Sequence, residues 1–294
     1  MDGVSQTPSS EPYHMNFLEI RELIEKKNNP TVMGLDPRPS LIPGFLKKDL
    51  PIGEAMLAFG KGLIDCTADL IPAVKPQSAF YEMAGLEGIK ALYETIRYAK
   101  EAGLAVILDA KRGDIGTTAE AYAEAAFGEM SAGADCVTVN PYLGSDGILP
   151  FVKAARQYNK CLFSLVKTSN PSSSELQDLT VGEETLYRRV ARLTASLSTP
   201  DTIGAVIGAT HPAQLRELRE MLPDTFFLVP GYGAQGGGAE DVRYAFDKTG
   251  SGALINASRS LMGAYQKHDD EENYQTYTRK AAIEMRDLLN AVRV

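Results

Sequence analysis

The chain has 294 residues, of which 44% are hydrophobic and 23% charged, and its 38 acidic and 30 basic side chains give a formal net charge of -8. This composition is typical of a globular protein and excludes a disordered or collagen-like chain. The acidic balance argues against a general surface for nucleic acid or anionic membranes, so any anionic ligand must be held by a local site.

The start of the chain, residues 1–15, is polar and lacks the basic start and apolar core of a secretion signal. No apolar run approaches the ~18 residues of a membrane span. The three cysteines are isolated in the sequence, which favours a reducing compartment. We therefore expect a polar tail over residues 1–15, one domain over residues 16–294, and a cytoplasmic protein.

Short β-branched runs and longer helical stretches alternate beyond the tail. Residues 16–27 (NFLEIRELIEKK) have helical spacing and are predicted to plug one end of the fold. The strand candidates are residues 31–36, 73–77, 105–110, 136–140, 161–167, 203–209, 226–230 and 253–258. Helical patterns lie between them, among others at residues 54–70, 86–102, 119–130 and 185–197.

The strand candidates define the fold class. Most are near-continuous apolar runs, as expected for parallel strands that are covered on both sides. Eight strands, each followed by a helix, are the count of a closed (β/α)8 barrel, which forms a single domain of about 250 residues. A doubly wound sheet would usually carry GxGxxG after its first strand, and none occurs there. We predict an α/β protein: a single TIM barrel with an N-terminal tail and an extra helix.

Two predicted connections, residues 37–53 and 168–184, are longer than the usual 2–6 residues. Both follow a strand, so both are expected at the carboxyl-terminal face, where barrel enzymes place their active sites. Polar loops at this face can act as lids. A solvated insertion explains the same pattern, and the sequence leaves both interpretations open.

The third strand carries the richest polar cluster, LDAKRGDIGTTA, at residues 108–119. Side chains alternate along a strand, so Asp109 and Lys111 point the same way, and Asp114 follows a glycine turn. Neighbouring carboxylates favour the charged form of a lysine, against the effect of burial. We expect Lys111 to be a protonated electrostatic clamp and proton donor, with a structural salt-bridge network as the alternative.

A second constellation follows the last two strands, as PGYGAQGGG at residues 230–238 and NASRS at residues 256–260. Glycines let backbone amides converge on an anion, and Arg259 can add a bidentate contact. The loops after strands seven and eight of a barrel commonly form a phosphate site. We expect the phosphate loop to include Gly231, Gly233, Gly236 and Ser258.

Other polar residues follow the remaining strands. Asn140 ends the fourth strand and is a substrate-binding candidate, while His211 is a general base or a residue that shapes its loop. Transition-metal spacing such as HxH or HExxH is absent from the sequence. Mg²⁺ would be opposed by Lys75 and Lys111, so no metal site is predicted.

These residues resemble a known family. LDAKRGDIGTTA resembles the signature of the orotidine 5'-phosphate decarboxylase family. GLDPR, VKPQ, VNPYLG, KTSNP, PGYGAQGG and NASRS are similar to its longer bacterial-type members, and the resemblance spans residues 31–262. It implies decarboxylation of a nucleoside monophosphate, orotidine 5'-phosphate, to UMP and CO2, the last step of de novo pyrimidine nucleotide synthesis. The resemblance also implies that no cofactor or metal is used, and that Lys111 stabilises and protonates the C6 carbanion.

The same resemblance assigns the site residues. The catalytic tetrad matches Lys75, Asp109, Lys111 and Asp114. Asp114 is expected to reach the neighbouring subunit's site, together with Ile115 and Thr118, which implies a homodimer with sites at the interface. The other substrate-binding matches are Asp36 at the ribose, Ser169 at the pyrimidine, and Gln235 and Arg259 at the phosphate.

Three competing hypotheses remain. A metal-dependent sugar-phosphate decarboxylase or aldolase of the same superfamily would carry an acid in place of Lys75, because Mg²⁺ needs oxygen ligands. A Schiff-base aldolase would use Lys167, at the end of strand five. A catalytically silent phosphate-binding barrel would not need the charges clustered around Lys111.

Overall fold

The protein is described by a computed structural model that covers residues 14–128, 130–199, 201–233 and 236–293, so the polar tail before residue 14 lies outside it. Its strands are β1 (Thr31–Leu35), β2 (Ala73–Pro76), β3 (Ala105–Arg112), β4 (Cys136–Val139), β5 (Cys161–Lys167), β6 (Thr180–Val181), β7 (Glu184–Thr185), β8 (Ile203–Ile207), β9 (Phe227–Pro230) and β10 (Ala253–Ala257). Eight of them form a closed parallel barrel in the order β1, β2, β3, β4, β5, β8, β9, β10, while β6 and β7 form a small antiparallel hairpin. The predicted TIM barrel is confirmed.

Helices cover the outside of the barrel and connect its strands. They are α1 (Phe17–Lys27), α2 (Gly44–Lys48), α3 (Ile52–Asp65), α4 (Ser78–Glu82), α5 (Gly85–Glu101), α6 (Gly116–Phe127), α7 (Ser145–Gln157), α8 (Ser174–Gln177), α9 (Leu186–Leu197), α10 (Pro212–Met221), α11 (Ala239–Val242), α12 (Arg259–Met262) and α13 (Tyr274–Val292). The connection after β9 holds only the four-residue α11 and a 3-10 turn, where a full helix was expected. None of these helices, within the described residues, could span a membrane.

The extra helix α1 closes the amino-terminal end of the barrel. Asn16 caps it, since its side chain accepts from the Leu18 N–H while its own N–H donates to the Glu19 carboxylate. Phe17 stacks on Phe226 with ring centroids 4.8 Å apart and lies 4.9 Å from the Phe163 ring. The apolar side of α1 thus joins the inward-facing residues of the strands in one buried cluster, which leaves the opposite end of the barrel open for a site.

Two barrel strands change register near their carboxyl ends. In β3 the shift lies between Leu108 and Arg112, and in β5 it lies between Leu165 and Lys167. Such irregularities re-aim side chains and are common beside active sites. Both shifts bear directly on which lysines face the inside of the barrel.

Candidate active site

A cavity of about 540 Å³ opens at the carboxyl-terminal ends of the barrel strands. This volume is in the ~300–1,000 Å³ range of small-molecule sites. The charged residues of its lining are the basic Arg38, Lys75, Lys111 and Arg259 and the acidic Asp36 and Asp109. A chain with a formal net charge of -8 therefore encloses a cavity with an excess of positive charge, which suits an anionic ligand.

A lysine–aspartate–lysine cluster lies in the wall of the cavity. The Lys75 Nζ lies 2.7 Å from Asp109 Oδ2, and the Lys111 Nζ lies 2.6 Å from Asp109 Oδ1. The Thr138 hydroxyl also donates to Asp109 Oδ1, at 2.9 Å. Both carboxylate oxygens are thus satisfied, and the two ammonium groups are held at fixed positions on one anion.

Burial and charge oppose each other in this cluster. Burial alone would raise the pKa of Asp109, but the ammonium groups of Lys75 and Lys111 outweigh it and hold that pKa well below its usual range. Burial alone would lower the pKa of Lys75, but the Asp109 and Asp36 carboxylates raise it above its ordinary value. Asp109 and Lys75 are therefore both ionised near neutral pH.

The backbone of Lys111 is held in an unusual conformation. Its φ is 46°, in the left-handed region that few non-glycine residues adopt. Its N–H donates to the Thr138 hydroxyl at 2.9 Å, so Thr138 contacts both the backbone of Lys111 and the carboxylate that pairs with it. Strained positions of this kind persist where the surroundings impose them, and they cluster at functional sites.

Two buried acceptor oxygens in the cavity lining have no donor among the described residues: Asp36 Oδ1 and Asn256 Oδ1. Buried polar atoms are rarely left without a partner. Gly34 makes room for this part of the lining, because a Cβ at that position would lie 1.9 Å from the Ser258 Oγ. This side of the cavity is suited to a ligand that carries hydroxyl groups.

The glycine-rich loop and β10 form another part of the lining. Gly231, Ser258 and Arg259 line the cavity. Gly233 and Gly236 have positive φ values of 74° and 99°, which shape the loop, but they do not line the cavity themselves. Gln235 lies outside the described residues.

Some predicted site residues lie away from the cavity. Asp114 makes no ion pair with Lys111 within 4.0 Å in one chain, where Asp109 is the carboxylate that pairs with Lys111; Asp114 was expected to reach the site of a neighbouring subunit. Ile115, which is 55% exposed, and Thr118 lie on the surface at the start of α6. Asn140 also lies outside, because β4 ends before it and its side chain accepts from the Tyr142 N–H instead.

Lys167 and His211 do not line the cavity either. The side chain of Lys167 is 0% exposed, and its Nζ lies 2.6 Å from Asp178 Oδ1. A buried amine that is ion-paired outside the cavity cannot meet a substrate carbonyl there, which removes the basis of the Schiff-base hypothesis. His211 contacts the chain near Thr168, as one of its two predicted roles requires.

Several lining residues were not predicted. Arg38 and Gln77 line the cavity, two residues after Asp36 and Lys75, and the alternation of strand side chains was the available signal. Phe80, whose ring lies 4.6 Å from the Arg38 guanidinium, had no such signal. Thr138, an uncharged residue within the fourth strand, also lines the cavity. Within the described residues, no group of three or more histidine, cysteine or acidic side chains is placed to hold a metal ion.

Comparisons of sequence and structure with known proteins match one family over most of the chain. Residues 48–277 match the model of the orotidine 5'-phosphate decarboxylase / HUMPS family. The chain is 42% identical to the orotidine 5'-phosphate decarboxylase of Rhodopirellula baltica, over 92% of this chain and 97% of that protein. The structure of Leishmania donovani OMP decarboxylase matches with a TM-score of 0.78 at 36% identity, covering 95% of this chain and 99% of that one. Leishmania donovani UMP synthase matches with a TM-score of 0.80 at 39% identity over 95% of this chain, which spans 57% of that longer protein.

Proposed function

Because this chain belongs to the orotidine 5'-phosphate decarboxylase / HUMPS family, we propose that it converts orotidine 5'-phosphate to UMP and CO2. This reaction is the last step of de novo pyrimidine nucleotide synthesis. The observation that carries this proposal is the contact of Lys75 and Lys111 with the shared Asp109 carboxylate, at 2.7 and 2.6 Å, in a cavity of nucleotide size. A pure binding site has no need to confine three charges in this way.

The proposed reaction begins with cleavage of the bond between C6 and the carboxyl carbon. The electron pair stays on C6, CO2 leaves, and the Lys111 ammonium stabilises the developing negative charge before it transfers a proton to C6. Lys111 regains a proton from solvent. Because the Lys111 Nζ is already fixed 2.6 Å from Asp109, little reorganisation is needed when the charge develops. Repulsion between Asp109 and the substrate carboxylate, which is relieved when CO2 leaves, adds to the proposed lowering of the barrier.

The remainder of the substrate is assigned to the other side of the cavity. We assign the phosphate to Arg259, Gln235 and the glycine-rich loop. The ribose hydroxyls match the acceptors of Asp36 and Asn256, and the pyrimidine is assigned to Ser169. Binding energy from the phosphate, which does not react, can then be used to hold the reacting carbon at Lys111.

We also propose that the enzyme is a homodimer whose sites lie at the interface. Asp114, Ile115 and Thr118 do not line the cavity of their own chain. Ile115 is apolar and exposed, as expected of a residue that another subunit covers. The position of these three residues suits contacts with the cavity of a second copy. The proposed reaction needs no cofactor or metal, and the free cysteines fit a reducing compartment such as the cytoplasm.

Lys111→Ala tests the proposed chemistry. We expect the variant to lose at least ~10³-fold in kcat, because a positioned proton donor and a charge next to the carbanion are both removed. The measurement is the fall in orotidine 5'-phosphate absorbance, with Lys90→Ala, an exposed lysine on α5, as the matched control. EDTA is expected to leave the wild-type rate unchanged. Near-normal turnover in Lys111→Ala would refute the role of this lysine, and a rate abolished by EDTA would favour a metal-dependent relative.

A further inference from the structure

We propose that Lys167, Asp178 and His211 form a polar network, anchored by the buried Lys167, that positions residues 168–170, the part of the cavity wall that follows β5. Residues 168–170 all line the cavity, whereas none of the three network residues does. The three are therefore positioning residues: they act on a ligand through the wall. The expected effect of the network on a nucleotide substrate rests on the proposed function. That the network holds residues 168–170 in place does not.

Lys167 anchors the network. Its Nζ donates to Asp178 Oδ1 at 2.6 Å and to the Ser173 hydroxyl at 3.3 Å, and it lies 5.7 Å from the centre of the Tyr187 ring. The register shift after Leu165 accompanies this orientation away from the cavity. The lysine thus links the end of β5 to the segment after residue 170, so that the intervening residues form a closed loop.

His211 contacts the same loop from the start of α10. Its Nε2 lies 3.1 Å from the Thr168 carbonyl oxygen and 3.4 Å from the Ser173 hydroxyl. Because a carbonyl oxygen only accepts, the ring donates through Nε2. Burial and the Lys167 ammonium both lower the pKa of His211, so the imidazole is neutral near pH 7 and adds no charge beside the lysine.

Further hydrogen bonds hold the wall from behind. Gln177 accepts from the Thr168 N–H and donates to the Thr168 hydroxyl, and Thr210 donates to the Ser169 carbonyl. Gly208 allows the close approach of the two segments, since a Cβ there would lie 2.7 Å from the Ser169 Cα. The polar groups on the side of residues 168–170 away from the cavity are therefore hydrogen-bonded within the protein, while the other side of this segment faces the cavity.

This arrangement predicts a selective effect. A wall that shifts by about 1 Å weakens the contacts that orient the reacting part of a substrate, and small misplacements of this kind can cost about 100-fold in rate. The proposed phosphate end of the cavity is built from β9, β10 and their loops, none of whose described residues takes part in the hydrogen bonds of Lys167 and His211. Loss of the network should therefore weaken binding of a whole nucleotide and leave binding of a phosphate group alone unchanged.

The test compares His211→Ala with His211→Gln, whose side-chain amide can restore the N–H to the Thr168 carbonyl. The probes are UMP and inorganic phosphate, titrated calorimetrically into the full-length protein, with Arg216→Ala on the same helix as the control. We expect His211→Ala to bind UMP about tenfold more weakly, as for one lost hydrogen bond, and His211→Gln to remain within about twofold of wild type. Phosphate affinity and the melting temperature should change little in either variant.

A second variant, Lys167→Met, removes the charge at similar length. We expect Lys167→Met to bind UMP more weakly while its affinity for inorganic phosphate stays unchanged. Hydrogen exchange of the Thr168 amide should become faster. Unchanged UMP affinity in His211→Ala and Lys167→Met would overturn the inference. An equal loss of affinity for UMP and for inorganic phosphate would also overturn the inference, since that pattern indicates a general loss of structure. A wild-type protein that binds UMP without turning over orotidine 5'-phosphate would refute the proposed function alone, whereas one that binds no UMP would refute both.

Discussion

Asp109 decides the charge state of the cavity, because it is the shared partner of Lys75 and Lys111. At an effective dielectric constant near 20, a contact of opposite charges at ~4 Å contributes about 4 kcal/mol. Solvent weakens the contact with Lys111, whose side chain is 44% exposed, so the buried contact with Lys75 contributes most to offsetting the cost of burying the Asp109 carboxylate. The residue therefore stays ionised although it is buried, and it keeps two ammonium groups side by side that would otherwise repel each other.

The depressed pKa of Asp109 predicts how stability depends on pH. A carboxyl whose pKa is lower in the folded than in the unfolded chain stabilises the fold above the unfolded value, near 4, and this contribution is lost as the pH falls through the folded value. We expect Asp109→Asn to lose about 3 kcal/mol in free energy of unfolding at pH 7, because Lys75 is left buried without its carboxylate. This deficit relative to wild type should shrink below pH 4.

Urea unfolding between pH 7 and pH 3 measures this dependence, with Glu101→Gln on the exposed end of α5 as the control. Glu101→Gln should follow wild type throughout the range. A deficit in Asp109→Asn that stays constant down to pH 3 would contradict the assigned ionisation.

Among the elements, helix α1 stabilises the barrel but supplies no residue to the cavity lining. Its apolar side chains pack into the amino-terminal end of the barrel, in one buried cluster that also contains Val206 and Leu228 of the cavity floor. Without the helix, the rings of Phe163 and Phe226 would face water. The helix therefore contributes to the core beneath the cavity, and none of its own residues lines the cavity.

Phe17→Ala tests this role of the helix. We expect a loss of about 3–5 kcal/mol in free energy of unfolding, since a buried aromatic ring is removed from a stacked cluster. Leu18→Ala is the matched control on the same turn, because Leu18 is 52% exposed and its truncation should cost less than about 0.5 kcal/mol. The measurements are chemical unfolding and the KM of the folded variant. Equal losses for the two variants, or a KM raised in Phe17→Ala alone, would contradict this role of the helix.

For the whole molecule, the proposed dimer places Asp114 in the cavity of the other subunit. The excess of basic side chains in one chain's cavity leaves room for one more carboxylate there, and Asp114 lies outside the cavity of its own chain. The complete site then requires two copies, so that association and activity are linked.

Mixing two inactive variants tests this arrangement. Equal amounts of Lys111→Ala and Asp114→Ala, exchanged as subunits, should recover about a quarter of wild-type activity, because half of the dimers are mixed and each has one intact site. A mixture of Lys111→Ala with Asp109→Asn should recover none, since both changes fall in the cluster of a single chain. Activity that stays absent in the first mixture although subunits exchange would refute the shared site.

The cavity could be predicted from the sequence only in part. Asp109 and Lys111 were placed together by strand alternation, and their contact in the structure agrees. Asn140 was expected at the end of the fourth strand, but that strand ends one residue earlier and the Asn140 side chain caps a 3-10 turn. An irregular end of a strand has no fixed periodicity, so alternation cannot place the residues that follow it.

The sequence by itself determined the class of fold, the number of barrel strands and the extra helix, because apolar periodicity is a local property that burial imposes on each element. It also placed the charged residues of the third strand at the carboxyl-terminal face. Only the tertiary structure decided that Asp109 is shared by two lysines, that Lys167 turns away from the cavity, and that residues 168–170 are held by His211. These features depend on register shifts and on contacts between residues distant in the chain, and local patterns in the sequence do not encode the geometry that results.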